Sequence, residues 1–210
     1  MLKFIRKIIP DYAHLPLISC AITQVLAYIV TKYIHIADFV DISLPLDHRI
    51  PLRAGWVVIY ILSYVYWAVG YVAIARVSRD KCRKLIVADI VCKVVCALFF
   101  IFMPVTIDRP EITGNGIFDM LMRLIYTLDT PENLFPSMHC LFSWLVAREL
   151  MDIKEYGLWV KAAAVVVSIL VFISTLFTRQ HYIMDIAGGV AAAELGILVA
   201  RLTERHKTSR

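Results

Sequence analysis

Residues 85–107 read LIVADIVCKVVCALFFIFMPVTI. A helix needs about 17–25 mostly apolar residues to cross a bilayer, and this run meets that length with only Asp89 and Lys93 charged. Those two lie four residues apart, on one helix face, so they are expected to pair with each other inside a bundle. Cys92 and Cys96 also share a face. No histidine is near them in sequence, so packing explains them better than half a metal site.

Working outward, five more apolar runs lie near 13–31, 54–76, 134–150, 158–178 and 183–203. The fourth in chain order, 134–150, is short and ends at Arg148. Composition agrees with membrane insertion: 60% of the 210 residues are hydrophobic and 19% charged, with a mean hydropathy of +0.72. Ordinary soluble domains average roughly 45–50% apolar and about 25% charged. The expected fold class is therefore all-α, a six-transmembrane-helix bundle forming one integral membrane domain over 1–210. The first run is too mixed with polar residues to read as a removable signal peptide. The preceding MLKFIRKIIP reads as a basic amphipathic lead-in at the interface.

Alternating crossings divide the cations unequally. The side holding the N-terminus collects fourteen Lys and Arg, against six (Lys32, Arg49, Arg53, Arg109, Arg123, Arg179) on the other. The positive-inside bias then predicts a multi-pass cell-membrane protein with cytoplasmic termini. It also accounts for the net charge of +5 without a nucleic-acid surface. The first outer loop, 35–54, reads as irregular or partly re-entrant. The second, roughly 108–133, carries a helix-spaced segment, IFDMLMRLIYTL, expected as a short interfacial helix.

Three polar clusters fall at span ends on the outer side. They are DRP with Arg109, FPSMH with Ser137 and His139, and TRQHYIMD with Arg179, His181 and Asp185. Ionisable groups at this level are costly in a membrane protein, so their convergence points to function. His181 and Asp185, four apart, are within hydrogen-bond reach, and a carboxylate on one imidazole nitrogen leaves the other free as nucleophile or base. His139 offers a second imidazole to protonate a leaving group. Arg109 and Arg179 carry forks suited to oxyanions. Ser137, at a helix start, offers a hydroxyl, although Pro136 and Ser137 also read as an ordinary helix cap. These residues point to metal-free phosphoryl transfer at the outer membrane–water interface. A zinc ion would be repelled by the arginines, and no cofactor is expected.

FPSMH and STLFTRQHYIMDIAGG resemble the second and third signature motifs of the type 2 phosphatidic-acid phosphatase superfamily, and DRP resembles the end of the first. The resemblance covers roughly 100–190. It implies His181 as a transiently phosphorylated nucleophile, Asp185 as its orienting partner and His139 as general acid, with Arg109 and Ser137 binding phosphate. It departs from the pattern where the first motif carries lysine, here Phe102, and where the third carries arginine, here Thr175. Arg179 is expected to supply the missing charge. An arginine just before HY is also similar to sphingolipid head-group transferases.

The implied activity is hydrolysis of a lipid phosphate or diphosphate. The alternatives are head-group phosphotransfer between lipids, or a non-catalytic membrane scaffold or transporter. Three smaller readings complete the set: Glu194 pairs with Lys93, the glycines and alanines of 188–196 allow close helix packing, and Tyr182 is an interfacial aromatic.

Overall fold

The computed structural model describes residues 8–34 and 36–208, so residues 1–7 of the basic lead-in lie outside the described part. Among the described residues there are seven α-helices: α1 (Asp11–Tyr33), α2 (Val57–Ala75), α3 (Arg79–Phe102), α4 (Ile117–Leu128), α5 (Met138–Met151), α6 (Leu158–Phe177) and α7 (Ile183–Thr208). Their only β-pairing is an isolated parallel bridge between Val40 and Val105.

Among the described residues, five helices are long and apolar enough to cross a membrane: Asp11–Thr31, Ala54–Ala75, Arg79–Phe102, Leu158–Phe177 and Ile183–His206. Large apolar side chains stand exposed along them, among them Ile18 and Ile22 on α1, Val65 and Val69 on α2, and Val166 and Ile169 on α6. In water such a surface would drive aggregation, whereas in lipid it is solvated.

The run expected as a span over 134–150 differs. Its helix, α5, has only 14 residues, about 21 Å at 1.5 Å per residue, short of the roughly 30 Å hydrocarbon core. Ten of its residues are buried, because α2, α6 and α7 enclose it. A helix walled by protein is released from the length requirement that lipid contact imposes. Leu141, Leu145, Val146 and Leu150 form the centre of the core together with Leu85, Ala193 and Ile197.

Local chemistry sets the helix limits. α3 starts earlier than expected because Ser78 accepts a hydrogen bond from Lys81 N (3.1 Å), a side-chain N-cap. It ends at Phe102 because Pro104 biases the residue before it away from helix, leaving 103–107 extended. α4 matches the expected interfacial helix, and Asp119 accepts from Gly116 N (3.0 Å) at its start. The 35–54 loop is irregular, with two 3-10 turns at Asp47–Arg49 and Ala54–Trp56.

Buried charge is paired. Lys93 Nζ lies 2.6 Å from Asp89 Oδ2, as expected, and also donates to Cys20 O and Thr23 Oγ1. Glu194 takes Arg148 (2.7 Å) and Trp144 Nε1 (2.8 Å) and not Lys93, whose ammonium is turned toward α1. Close helix packing around α7 is as expected. A Cβ on Gly189 would lie 2.6 Å from Ser137 O, and one on Gly196 2.7 Å from Ala88 O. Tyr182, expected at an interface, is buried with Val105, Ile107 and Leu134, because the extended 103–107 segment and the 131–135 segment cover it. All five cysteines are free and buried.

Helix ends gather into two groups. At one end, Ile36 N donates to Ile101 O, Arg53 N to Phe177 O and Ser137 N to Asp185 O, joining the termini of α1, α2, α3, α5, α6 and α7. At the other, Tyr156 Oη donates to Ala73 O, Lys84 pairs with Glu149 (3.0 Å) and Arg201 pairs with Asp152.

Candidate active site

The first group of helix ends holds a cavity of about 410 Å³ whose lining includes Arg109, His139 and His181. α6 delivers His181 through its C-terminus. Arg179 N bonds Leu176 O and Gln180 N bonds Thr175 O, both at 3.0 Å, while Arg179 takes a left-handed φ of 53°. This pair of bonds is a Schellman reversal. It turns the chain sharply, so that His181 follows the turn and Asp185 falls on the first turn of α7.

Asp185 is fully buried. Its Oδ2 accepts from Tyr182 N (2.8 Å) and lies 3.2 Å from His181 Nδ1. With Nδ1 donating to the carboxylate, the lone pair of His181 is on Nε2. His139 stands opposite, its ring centroid 6.0 Å from that of His181. Tyr60 stacks on the His139 ring at 4.1 Å, with Tyr64 and Trp67 on its other sides. Its Nε2 is buried without a hydrogen-bond partner among the described residues. Burying a polar nitrogen unpaired is unfavourable, so its position inside a cavity fits a group that meets a ligand.

Arg109 is fixed from several directions. It donates to Asp129 O (2.5 Å), Thr130 O (3.3 Å) and Gln180 Oε1, and its guanidinium lies 4.7 Å from the centre of the Tyr126 ring. Tyr126 Oη donates to Thr178 O (2.9 Å). Burial pushes its phenol up to about 12, with Arg109 and Arg179 pulling the other way, so it keeps the proton it donates.

The structure therefore brings together Arg109, His139, His181 and Asp185. It places two expected residues elsewhere. Ser137 is fully buried, caps α5 by accepting from Cys140 N (3.3 Å) and is absent from the cavity lining. Arg179 donates to Asp47 O (2.5 Å) and Ile50 O (3.5 Å) and also lies outside the lining. The two departures from the motif pattern are away from the cavity as well. Phe102 is exposed at the end of α3, and Thr175 is fully buried with its hydroxyl on Phe172 O.

Several cavity residues carry no motif signal. Gln180 and Asn133 line it with side-chain nitrogens that have no partner among the described residues. Asn133 also holds a φ of 57°, a conformation asparagine tolerates better than most residues. Asp129 and Glu132 line it too, Asp129 accepting from Tyr60 Oη (2.8 Å). Asp47, buried in the first loop, accepts from Ile183 N (2.9 Å) and so caps α7 next to His181. Among the described residues, no three His, Cys, Asp or Glu side chains gather as a metal ion would need.

An all-helical protein with five membrane-length helices and an aspartate-linked histidine facing a second histidine is defined as a class by these features. A family model described as PAP2 superfamily matches residues 40–199. The chain belongs to that superfamily, and with its apolar helices it is a membrane protein of the phosphatase type, a family of phosphatase and phosphotransferase-like lipid enzymes. No curated protein and no solved structure matches it.

Proposed function

We propose that the protein is a metal-independent membrane phosphatase that hydrolyses a lipid phosphate or diphosphate through a phosphohistidine. The observation that carries this reading is the His181–Asp185 pair facing the unpartnered Nε2 of His139 across a cavity that also holds Arg109. His181 Nε2 attacks phosphorus while Arg109 and Gln180 meet the phosphoryl oxygens. The P–O bond to the lipid breaks and His139, protonated, gives its proton to the departing oxygen. His139 then takes a proton from water, which attacks the phosphohistidine, releasing inorganic phosphate and regenerating His181. The chain crosses the membrane six times, α5 making the fourth crossing inside the bundle. Both termini are cytoplasmic and the site faces outside.

The test is phosphate release from phosphatidate or polyprenyl diphosphate by the purified protein, with acid-labile but base-stable labelling of the chain. Release that persists in His181→Ala, or that excess EDTA abolishes and a divalent ion restores, would overturn the scheme. A cysteine replacing the exposed Asn115 reports topology against a background of buried native cysteines. Labelling by an impermeant reagent only after permeabilisation would invert the orientation.

A second reading has its own support. Asp129 and Glu132 line the cavity, and acidic groups are poor company for a bare phosphate but favourable for a head group with a cation or hydroxyls. Transfer of such a head group to a lipid hydroxyl uses the same histidines. Product formation that depends on an added lipid alcohol distinguishes it from hydrolysis.

A further inference from the structure

A second cavity, of about 380 Å³, lies between α1, α2 and α3. Its wall is almost wholly apolar, with Leu17, Ile18, Ala68, Val72 and Phe142 among its residues. Ala21, Gln24 and Trp67 line both this cavity and the head-group cavity, so the two meet there. The charged groups beneath it make no demand on a ligand. Asp89 accepts from Tyr71 (2.7 Å), Cys20 (3.0 Å) and Lys93, and Lys93 has the three acceptors described above.

The junction has a direction relative to the chemistry. Trp67 touches the rings of both His139 and Phe142, and Met138 adjoins His139. In the proposed hydrolysis His139 protonates the departing lipid oxygen, so the lipid chain begins on the His139 side, where the second cavity opens. Gln24 stands at that opening. Its Nε2 lies 3.5 Å from Met138 Sδ, while Oε1 is buried without a partner among the described residues. Reversing the amide would set oxygen against a thioether that has no proton to give, so the free group is the acceptor. An acceptor left unpaired between an apolar cavity and a phosphate site calls for a donor on the ligand.

We infer that the α1–α2–α3 cavity holds the lipid chain of the substrate, and that Gln24 Oε1 accepts a hydrogen bond from a hydroxyl or amide N–H on the lipid next to its phosphate. This rests on the phosphatase reading and ranks lipid phosphates with such a donor above those without one. Plain alkyl, diacyl and polyprenyl phosphates lack one. A lysophosphatidate has a hydroxyl on the carbon next to the phosphate-bearing one, whereas a sphingoid phosphate has an amine there and its hydroxyl one carbon further on. The family match begins at residue 40, so Gln24 and the α1 wall lie outside the part of the chain it covers.

The experiment compares dodecyl phosphate, the same chain with a hydroxyl on the carbon next to the phosphate-bearing one, and the short water-soluble butyl phosphate. Wild type should favour the hydroxylated chain over dodecyl phosphate by about fivefold in kcat/KM, the worth of one net hydrogen bond. Gln24→Leu should bring the ratio of the two kcat/KM values to about one, whatever it does to either value alone. Ala68→Trp fills the second cavity from an exposed position, so folding is spared. It should raise KM for both long chains severalfold and leave butyl phosphate as it was. Lysophosphatidate and sphingosine phosphate, tested on wild type and Gln24→Leu, show whether an amine on the carbon next to the phosphate-bearing one serves in place of the hydroxyl. Equal effects on hydroxylated and plain chains, or on long and short ones, overturn the inference. Ligand-induced thermal shifts of the detergent-purified protein read the same differences without turnover. Shifts that keep the pattern while no phosphate is released overturn the phosphatase reading and leave this one standing. Shifts that are equal throughout overturn this one.

Discussion

The division of labour proposed for the two histidines makes the effect of losing His139 depend on the leaving group. A nucleophile approaches phosphorus to about 3–3.5 Å and an acid holds the departing oxygen at about 2.6–3.2 Å, so with the P–O bond between them roughly 7–8 Å separates the two nitrogens in line. The ring centroids of His139 and His181 lie 6.0 Å apart, and the reacting nitrogens stand off those centres. Replacing His139 by Phe keeps a flat ring against Tyr60, whose ring lies 4.1 Å away, but removes the proton donor. General acid catalysis contributes about 10²–10⁴-fold, or about 3–5 kcal/mol of barrier. An alkyl phosphate, whose alkoxide leaves poorly without a proton, should lose that factor in its first turnover. An aryl phosphate such as p-nitrophenyl phosphate departs as a stable phenolate and should form the phosphohistidine nearly unimpaired. The second step still needs His139 to activate water. Stopped-flow absorbance should therefore show a phenolate burst of about one equivalent followed by slow turnover, and His181→Ala should show no burst. Equal first-turnover losses on alkyl and aryl substrates in His139→Phe, confirmed in His139→Asn to separate crowding from chemistry, would refute the assignment of His139 as acid.

Three further outcomes follow from contacts of single residues. Asp185→Asn keeps an oxygen for Tyr182 N and His181 Nδ1, which share Oδ2, but removes the negative charge that supports a cationic imidazole after attack. Losing a charge-assisted hydrogen bond, about 1.5–3 kcal/mol, should lower kcat about 10–100-fold with KM nearly unchanged; steady-state phosphate release at the wild-type rate would contradict it. Gly189→Ala brings a Cβ to 2.6 Å from Ser137 O and 3.1 Å from Leu141 N. Backbone cannot swing aside as a side chain does, so the start of α5 shifts with His139, and a displacement near 1 Å should lower kcat about 10²-fold; a kcat within twofold of wild type would contradict it. Lys93→Met leaves the carboxylate of Asp89 buried without a counter-charge, with only Tyr71 and Cys20 donating to it, at about 3–5 kcal/mol of stability. Adding Asp89→Leu should recover most of that loss in denaturant unfolding of the detergent-solubilised protein, whereas additive losses would show that the pair is not coupled.

What could be read from the sequence, and what could not, divides along the range of the interactions involved. The membrane helices and the Asp89–Lys93 and His181–Asp185 pairs depend on composition or on spacings of four within one helix, so they are visible in the chain. α5 is too short for the length rule that picks out the other helices, because that rule assumes lipid on the outside and the surroundings of α5 are other helices. The direction of Arg179 could not be read for a related reason. It lies two residues from His181, yet the left-handed turn at Arg179 sends its guanidinium to carbonyls 132 and 129 residues back in the chain. Nearness along a chain sets no direction at a helix C-cap. Ser137 satisfied both of its possible readings at the sequence level, and only its burial and its bond to Cys140 N select the cap. Gln24 and Asp47 had no local signal at all, since each acts on residues more than a hundred positions away. The catalytic assignments thus rest on short-range geometry set by motif spacing. The proposed substrate choice depends on the α1 wall, which no motif covers, so its test lies outside the matched family region.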